Sequence, residues 1–221
     1  MIGEASFQRL WRLVSGARFD GVDSMIAADR DGQATAIELE SGLLLYSLVR
    51  RMRPRVVVET GTHKGFSGAW IACALKDNHE MNVSIPAGHL HTIDANRYDG
   101  VPEHLWIELE VDRYITHYIG DSHAIPVPVS MFIDFLWLDA DHSAESINAE
   151  WDYLHGRLAD PCWVAFHDTY LDARMNRGIE IIKTKAKNKG LTVDHMAMRN
   201  MRGFDLLQLH SQPHLKRPDA E

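Results

Sequence analysis

The hydrophobic pattern of the chain alternates between short apolar runs and longer segments with helical spacing. Runs typical of strands buried in a parallel sheet occur at "RVVVET", "HLHTID", "RYITHYIGDS", "MFIDFLWLDADH" and "CWVAFHDTY". Helical spacing is found in "FQRLWRLV", "GLLLYSLVRRM", "SGAWIACALKD", "PEHLWIELEV", "SAESINAEWDYLHGRLA" and "RGIEIIKTKAKNKG". Strand and helix in alternation predict an α/β fold with a doubly wound, mostly parallel sheet.

Helix ends, the C-terminal segment and one long connection can also be predicted from the sequence. Pro54 should end the helix "GLLLYSLVRRM", and Gly190 should end the last helix. The tail "LTVDHMAMRNMRGFDLLQLH" alternates apolar and polar residues around Arg202-Gly203, which predicts an antiparallel hairpin. "KDNHEMNVSIPAG" is longer than a usual connection, and we expect residues 77–89 to be an insertion of unknown role.

The length, charge and cysteine content of the chain exclude some classes of protein and binding partner. The 221 residues fit one α/β domain, and a formal net charge of -8 argues against a nucleic-acid or anionic-membrane partner. No apolar run approaches the roughly 20 residues that a membrane-spanning helix needs. Cys73 and Cys162 lack CxxC spacing, so we expect two reduced, apolar thiols and a cytoplasmic location. The oligomeric state stays open, with a homo-oligomer as one option.

Acidic residues end the predicted strands. They are Glu59, Asp94, Asp121, Asp139 and the pair His167-Asp168. Ligands bind outside the carboxyl ends of the strands in open α/β sheets, so we expect these side chains to line one site. A single acid at such a position is often only a helix cap or turn residue, but the series favours a site for hydroxyls, amines or cations.

The stretch "VVVETGTHKGFSG", residues 56–68, joins the first strand to a helix through a turn with little side chain. Gly61 and Gly65 are four residues apart, which differs from GxGxxG and disfavours a nicotinamide dehydrogenase. The unpaired amides of a helix N-terminus suit a carboxylate-bearing amino-acid moiety. A tight turn without any ligand is the alternative. Asp94, which ends the next strand, could accept hydrogen bonds from both hydroxyls of a ribose.

Five motifs in order resemble the class I S-adenosylmethionine-dependent methyltransferases: "VVVETGTHKGFSG", "HTIDAN", "YIGDS", "LWLDADHSAES" and "WVAFHDTY". The last two are similar to a metal-associated O-methyltransferase branch, the methyltransferase domain 24-like enzymes that act on small molecules and sugars. The resemblance implies a Rossmann-like methyltransferase fold over residues 38–221, with a seven-stranded sheet and a C-terminal antiparallel hairpin strand. Residues 1–37 would be a helical and loop segment that caps the acceptor site.

The resemblance also implies S-adenosyl-L-methionine as the cofactor and suggests which residues bind it. The methionine end would be lined by Glu59, Gly61, Thr62, Gly65 and Ser67. Asp94 would hold the ribose, Asp121 and Ser122 would contact the adenine, and Asp139 would lie beside the sulfonium.

A metal site and a general base follow from the same resemblance. Asp139 and Asp168 would bind a divalent cation, with His167 as a third ligand. Two carboxylates suit Mg²⁺, whereas a histidine would admit Mn²⁺ or Zn²⁺. His142 follows Asp139 by three residues and would remove the proton of the acceptor, since imidazole titrates near neutral pH. Some relatives end the fifth strand with Asp-Asn, and this chain has His-Asp-Thr there.

The expected activity is therefore O-methylation of a small hydroxylated acceptor, catechol-like or a sugar diol, with assistance from Mg²⁺ or Mn²⁺. Three alternatives remain open at the level of the sequence. One is a metal-independent N- or carboxyl-methyltransferase. Another is an enzyme of this fold that uses the nucleoside site for a different reaction. The third is a cofactor-binding partner subunit without catalysis. Trp137 and Tyr170 could stack on an acceptor ring, but packing is favoured for both.

Overall fold

The computed structural model describes residues 7–11, 37–84, 86–124, 131–170, 172–199 and 202–211. The chain divides into two compact units, Met1–Met131 and Phe132–Glu221. Residues 7–11 are helical, as the spacing in "FQRLWRLV" predicts. Most of the predicted N-terminal cap, residues 1–37, lies outside the described residues.

The first unit alternates helices and parallel strands. The elements are α1 (Leu39–Met52), β1 (Val56–Thr60), α2 (Phe66–Met81), β2 (His89–Asp94), α3 (Val101–Glu108), a 3₁₀ turn (Asp112–Tyr114) and β3 (Ile115–Ile119). β2 pairs in parallel with β1 on one side and with β3 on the other. All five residues of β1 are buried, as expected for a strand covered on both faces, and the first three are valines.

Helix α1 packs closely on helix α2 in this unit. A Cβ atom on Gly42 would lie 2.2 Å from Nε1 of Trp70, so only glycine allows the two helices to approach at this point. The hydroxyl of Tyr46 donates a hydrogen bond to Asp77 at 2.7 Å. Helix α2 also continues through Met81, four residues beyond the segment with clear helical spacing. The predicted insertion is therefore wrong in extent, because residues 77–81 belong to the helix.

The second unit begins with two parallel strands and ends with a hairpin. Its elements are β4 (Ile133–Leu138), α4 (Ala144–Leu154), a 3₁₀ turn (His155–Arg157), β5 (Leu158–His167), α5 (Ala173–Asn188), β6 (Leu191–Met198) and β7 (Phe204–Ser211). β4 pairs with β5 in parallel, and β7 lies antiparallel between β5 and β6. Side-chain oxygens of Ser143 and Asp172 cap the first turns of α4 and α5.

The seven strands belong to a mixed sheet, in the order β3-β2-β1 within the first unit and β4-β5-β7-β6 within the second. The predicted doubly wound α/β fold with its C-terminal antiparallel hairpin is confirmed. Cys73 and Cys162 are both buried and unbridged, as expected for small apolar residues. Within the described residues, no helix has the length and apolar character that crossing a membrane would require.

Candidate active site

The turn after β1 is held by backbone hydrogen bonds. The amide of Gly61 donates to the carbonyl of Ile93 on β2 at 2.8 Å, and the amide of Gly65 donates to the carbonyl of Thr62 at 2.8 Å. Gly61 and Gly65 have φ values of 88° and 81°, and His63 between them has 45°. Two left-handed glycines therefore let the chain reverse tightly before α2 begins.

Packing gives a separate reason for glycine at position 65. A Cβ atom there would lie 2.9 Å from Cβ of Pro102 and 3.0 Å from Cε2 of Trp106, both on α3. The indole Nε1 of Trp106 also donates a hydrogen bond to the carbonyl of Gly65 at 2.9 Å. The small residue at this point is explained by the close approach of α3, with no need for a ligand.

Glu59 is the penultimate residue of β1 in the first unit and is fully buried. Thr92 on β2 donates its hydroxyl proton to Oε2 of Glu59 at 2.5 Å, and the hydroxyls of Thr92 and Thr62 lie 2.6 Å apart. The β1–β2 register places Glu59 directly opposite Thr92. Ser67 and Thr62 are also buried. Glu59 is thus linked to the turn through the hydroxyls of Thr92 and Thr62, and these contacts join the turn to β2.

Asp94 ends β2 and joins two turns of the first unit. Its Oδ2 accepts a hydrogen bond from the amide of His63, and its Oδ1 accepts one from the amide of Asn96, both at 2.8 Å. The rings of His63 and Tyr98 meet edge to face with centroids 4.8 Å apart. Asp94 is half-buried, so its carboxylate is fixed in orientation while part of it stays open to a ligand.

The end of β3 carries the two residues predicted to contact an adenine. The amide of Gly120 donates to the carbonyl of Asp94 at 2.8 Å, which ties the end of β3 to the end of β2. Asp121 is exposed, and its Oδ1 accepts a hydrogen bond from the amide of His123 at 2.9 Å. Ser122 is half-buried.

The second unit gathers two carboxylates and two imidazoles at the ends of β4 and β5. Nε2 of His142 lies 3.4 Å from Oδ1 of Asp139 and 3.7 Å from Oδ2 of Asp168. Nδ1 of His167 lies 3.5 Å from Oδ2 of Asp139 and 3.4 Å from Oδ1 of Asp168. Each imidazole therefore faces both carboxylates. We call these four residues the carboxylate–histidine cluster.

Burial differs among the members of this cluster. The exposed fraction of the side chain is 25% for His142 and 17% for Asp139, but only 3% for His167 and 5% for Asp168. The ring of the buried Trp137 lies 5.9 Å from the ring of His167 and 5.4 Å from the ring of Phe204, measured between centroids. Trp137 is thus a packing residue, as favoured from the sequence, whereas Tyr170 is exposed. His142 and Asp139 form the open side of the cluster.

The cluster shifts the titration of its members in different directions. Burial acts to raise the pKa of Asp139, but the adjacent His167 and His142 outweigh it and hold that pKa below its ordinary value. Burial, reinforced by the charge of Asp139, raises the pKa of Asp168 despite His167 and Arg202. Contact with Asp139 raises the pKa of His142. Two carboxylates with divergent pKa values in one site are typical of functional centres.

The donor set fits a divalent cation. One ligand atom from each of Asp139, His142 and Asp168 lies within 4.8 Å of the other two. Oδ1 of Asp168 is buried and accepts no hydrogen bond from any described residue. A buried carboxylate oxygen in that state is costly unless a cation or water satisfies it.

Comparison with known proteins identifies the family. Residues 58–169 match a family model described as a methyltransferase domain, and this span covers just over half of the chain. The chain belongs to this methyltransferase family. It is therefore an enzyme of the methyltransferase class. The matched residues run from β1 to the end of the cluster, so they include parts of both units. No match was found among curated proteins.

Solved structures of other methyltransferases share the fold. The O-methyltransferase TomG from Streptomyces achromogenes, in complex with SAM, superposes with a TM-score of 0.66 at 17% identity, covering 95% of this chain and 91% of that chain. An O-methyltransferase from Bacillus cereus in complex with SAH gives 0.64 at 14% identity, with 95% and 92% covered. The SAH-bound methyltransferase PaMTH1 from Podospora anserina gives 0.61 at 12% identity, with 95% and 89% covered.

Three residues of the candidate site were not predicted from the sequence. Thr92 holds Glu59, His63 supplies the amide that binds Asp94, and Arg202 donates a hydrogen bond to Asp168 at 2.6 Å. Thr92 could have been found, since a buried polar residue opposite a strand-ending acid predicts a hydrogen bond once the register is known. Arg202 is 34 residues from Asp168 and gave no comparable signal.

Proposed function

We propose that this methyltransferase transfers the methyl group of S-adenosyl-L-methionine to a hydroxyl oxygen of a small acceptor, with assistance from a divalent cation. The observation that carries the proposal is the carboxylate–histidine cluster, with its buried Oδ1 of Asp168. The acceptor would present two adjacent oxygens, as a catechol or a sugar diol does, because a chelated cation favours such a pair.

Residues of the first unit would bind the methyl donor. Asp94 is held by two backbone amides and would accept hydrogen bonds from the ribose hydroxyls. The turn from Gly61 to Gly65 would receive the methionine end, with Thr62 and Ser67 beside it, and Asp121 and Ser122 would adjoin the adenine. Glu59 would not contact the donor itself; it would stabilise the turn through its hydrogen bond with Thr92. When bound, S-adenosylmethionine supplies a methyl carbon already activated by positive sulfur.

Residues of the second unit would orient and deprotonate the acceptor. Asp139 and Asp168 would hold Mg²⁺ or Mn²⁺, with His167 as the buried nitrogen beside them. When bound, the cation would lower the pKa of the acceptor hydroxyl. His142 is the more exposed imidazole of the cluster and would take the proton at Nε2. Its contact with Asp139 makes it a stronger base, but one that must first lose its own proton.

A metal-independent transfer to nitrogen or carboxylate is the second candidate. It is favoured by one observation, because the guanidinium of Arg202 already neutralises Asp168 without any metal. In that case the carboxylates would orient an amine or hold His142, and no cation would take part.

An acceptor screen with labelled S-adenosylmethionine tests the proposal. Catechols and sugar diols should be methylated in the presence of Mg²⁺ or Mn²⁺, whereas amines and simple carboxylic acids should not. Methylation confined to amines or acids would establish the second candidate instead.

Calorimetry with S-adenosylhomocysteine tests the donor site separately. Asp94→Ala should weaken binding by about 1–3 kcal/mol, the loss expected for hydrogen bonds to a charged group. Asp94→Asn keeps one acceptor oxygen and should lose less. Absence of binding at millimolar concentration, or full affinity in Asp94→Ala, would contradict the assignment.

A further inference from the structure

A fixed positive charge lies on the carboxylate–histidine cluster. Nη2 of Arg202 donates a hydrogen bond to Oδ2 of Asp168 at 2.6 Å, while Oδ1 of the same carboxylate is left to other partners. Asp168 is almost fully buried, so the interaction is screened less than a surface ion pair.

The backbone holds Arg202 in place. The amide of Tyr170 donates to the carbonyl of Arg202 at 2.9 Å. Gly203 has a φ of 92°, and a Cβ atom there would lie 2.3 Å from the nitrogen of Tyr170. Only glycine permits this approach, which presses the segment before β7 against the segment after β5. The position of Arg202 beside Asp168 is therefore a consequence of the fold rather than of one surface rotamer.

A second arginine of the same hairpin has a different partner. Nη1 of Arg199 donates to Oδ2 of the buried Asp205 at 2.5 Å and to the hydroxyl of Thr169 at 3.1 Å. Its Nη2 reaches Asn176 at 3.3 Å. Arg199 thus stabilises the hairpin, and among its hydrogen bonds none goes to a carboxylate of the cluster. Arg199 therefore neutralises Asp205, whereas Arg202 neutralises Asp168.

We propose that Arg202 is a positioning residue that sets the cation affinity of the cluster: it holds Oδ2 of Asp168, presents Oδ1 to the cation, and offsets one of the two carboxylate charges. This inference rests on the proposed function, because it assigns Arg202 to the proposed cation site. A cation bound there meets one uncompensated carboxylate charge instead of two. The cluster is accordingly a weak, exchangeable cation site.

The test measures Mn²⁺ affinity directly, from the electron paramagnetic resonance signal of free Mn²⁺, in the full-length protein without acceptor. Arg202→Gln keeps a donor for Oδ2 but removes the charge, and should bind Mn²⁺ roughly tenfold or more tightly than the wild type. Even at the dielectric constant of water, a unit charge and a divalent ion about 6 Å apart repel by about that factor. Arg202→Lys keeps the charge and should stay within about threefold of the wild type.

Arg199→Gln is the matched control, since it loses a guanidinium from the same hairpin, and it should change Mn²⁺ affinity by no more than about threefold. Arg202→Met serves as a second neutral variant if Arg202→Gln does not fold. Equal or weaker Mn²⁺ binding in both neutral variants would overturn the inference. Tight binding by Arg202→Gln but none by the wild type would support the inference and contradict cation assistance in the natural enzyme. Donor binding, measured by calorimetry, is independent of both results.

Discussion

In the first unit, the strand-ending carboxylates Glu59 and Asp94 accept hydrogen bonds from the turns around them, whereas Asp139 and Asp168 of the second unit lie among other titratable groups. Hydrogen bonds at 2.5–2.8 Å fix the first pair within the fold. Spacings of 3.4–3.7 Å to two imidazoles leave the second pair able to take a further ligand. Acids at equivalent places in the sequence pattern are thus fixed by the surrounding turns in one unit and lie among imidazoles in the other.

Substitution of His142 should give the largest effect and should be confined to the chemistry of the second unit. His142→Ala should lower the rate of methyl transfer by about 100- to 10,000-fold, the usual cost of losing a general base. Affinity for S-adenosylhomocysteine should stay unchanged, because the residues proposed to bind the donor, apart from Asp139, belong to the first unit. Rates under saturating donor and calorimetry on the same sample check both statements.

A second measurement decides which role His142 has. If His142 is only the base, His142→Ala should bind Mn²⁺ as the wild type does. A large loss of Mn²⁺ affinity would make His142 a cation ligand, and the base would have to be sought elsewhere. His210→Ala, which alters a histidine bound to Asp194 on the hairpin, is the control and should keep full activity.

Gly65→Ala should destabilise the first unit by about 2–4 kcal/mol. The new methyl group would meet Pro102 and Trp106 at 2.9–3.0 Å, and φ is 81°. Gly190→Ala is the control, because Gly190 has the same φ of 81° but no atom within 4 Å of the added Cβ. It should cost only about 1–2 kcal/mol. Equal losses in urea unfolding would show that packing against α3 does not matter.

Lowering the pH should reduce the free energy of unfolding of the first unit, because it favours protonation of His91 on β2. His91 is buried beside His89, and its ring lies 3.2 Å from the hydroxyl of Tyr118. Burial, reinforced by His89, lowers its pKa from 6.5 to about 4. The unfolded chain then binds the proton more tightly, so stability is complete above about pH 6.5 and falls as the pH drops towards 4. The expected loss is about 1–3 kcal/mol.

His91→Phe keeps a ring at this position and removes the titration. The variant should lose less stability than the wild type between pH 7 and pH 4.5, whatever its stability at pH 7. His104→Phe, on the exposed side of α3, should show the wild-type dependence on pH. An identical acid response in His91→Phe would mean that other groups cause the loss.

Most of the fold could be predicted from the sequence because strands and helices differ in hydrophobic period. The last turn of α2 could not, since residues 78–81 are largely polar. It is held by contacts with α1: Nη1 of Arg50 donates to Asn78 at 2.9 Å, and Nδ2 of Asn78 donates to the carbonyl of Val49 at 3.0 Å. Such tertiary contacts carry no local signature in the chain.

The candidate site was only partly predictable for the same reason. Asp139, His167 and Asp168 could be predicted to lie close together because they follow or end neighbouring strands. His142 could be predicted to join them because it follows Asp139 by only three residues. Arg202 joins the cluster only because Gly203 allows the hairpin to press on residues 168–170. The resemblance assigned Gly61 and Gly65 to the methionine end of the cofactor, whereas the packing of Gly65 against α3 had no signal in the sequence.

The central claim is that the cluster of the second unit works as a cation centre, and the rate of methyl transfer in excess chelator tests it most directly. The wild type, with a catechol or diol acceptor and saturating S-adenosylmethionine, should lose at least about 100-fold in rate when divalent cations are removed. Readdition of Mg²⁺ or Mn²⁺ should restore the rate, while S-adenosylhomocysteine affinity stays constant throughout. A full rate in excess chelator would contradict the account and leave Asp139 and Asp168 with a metal-independent role.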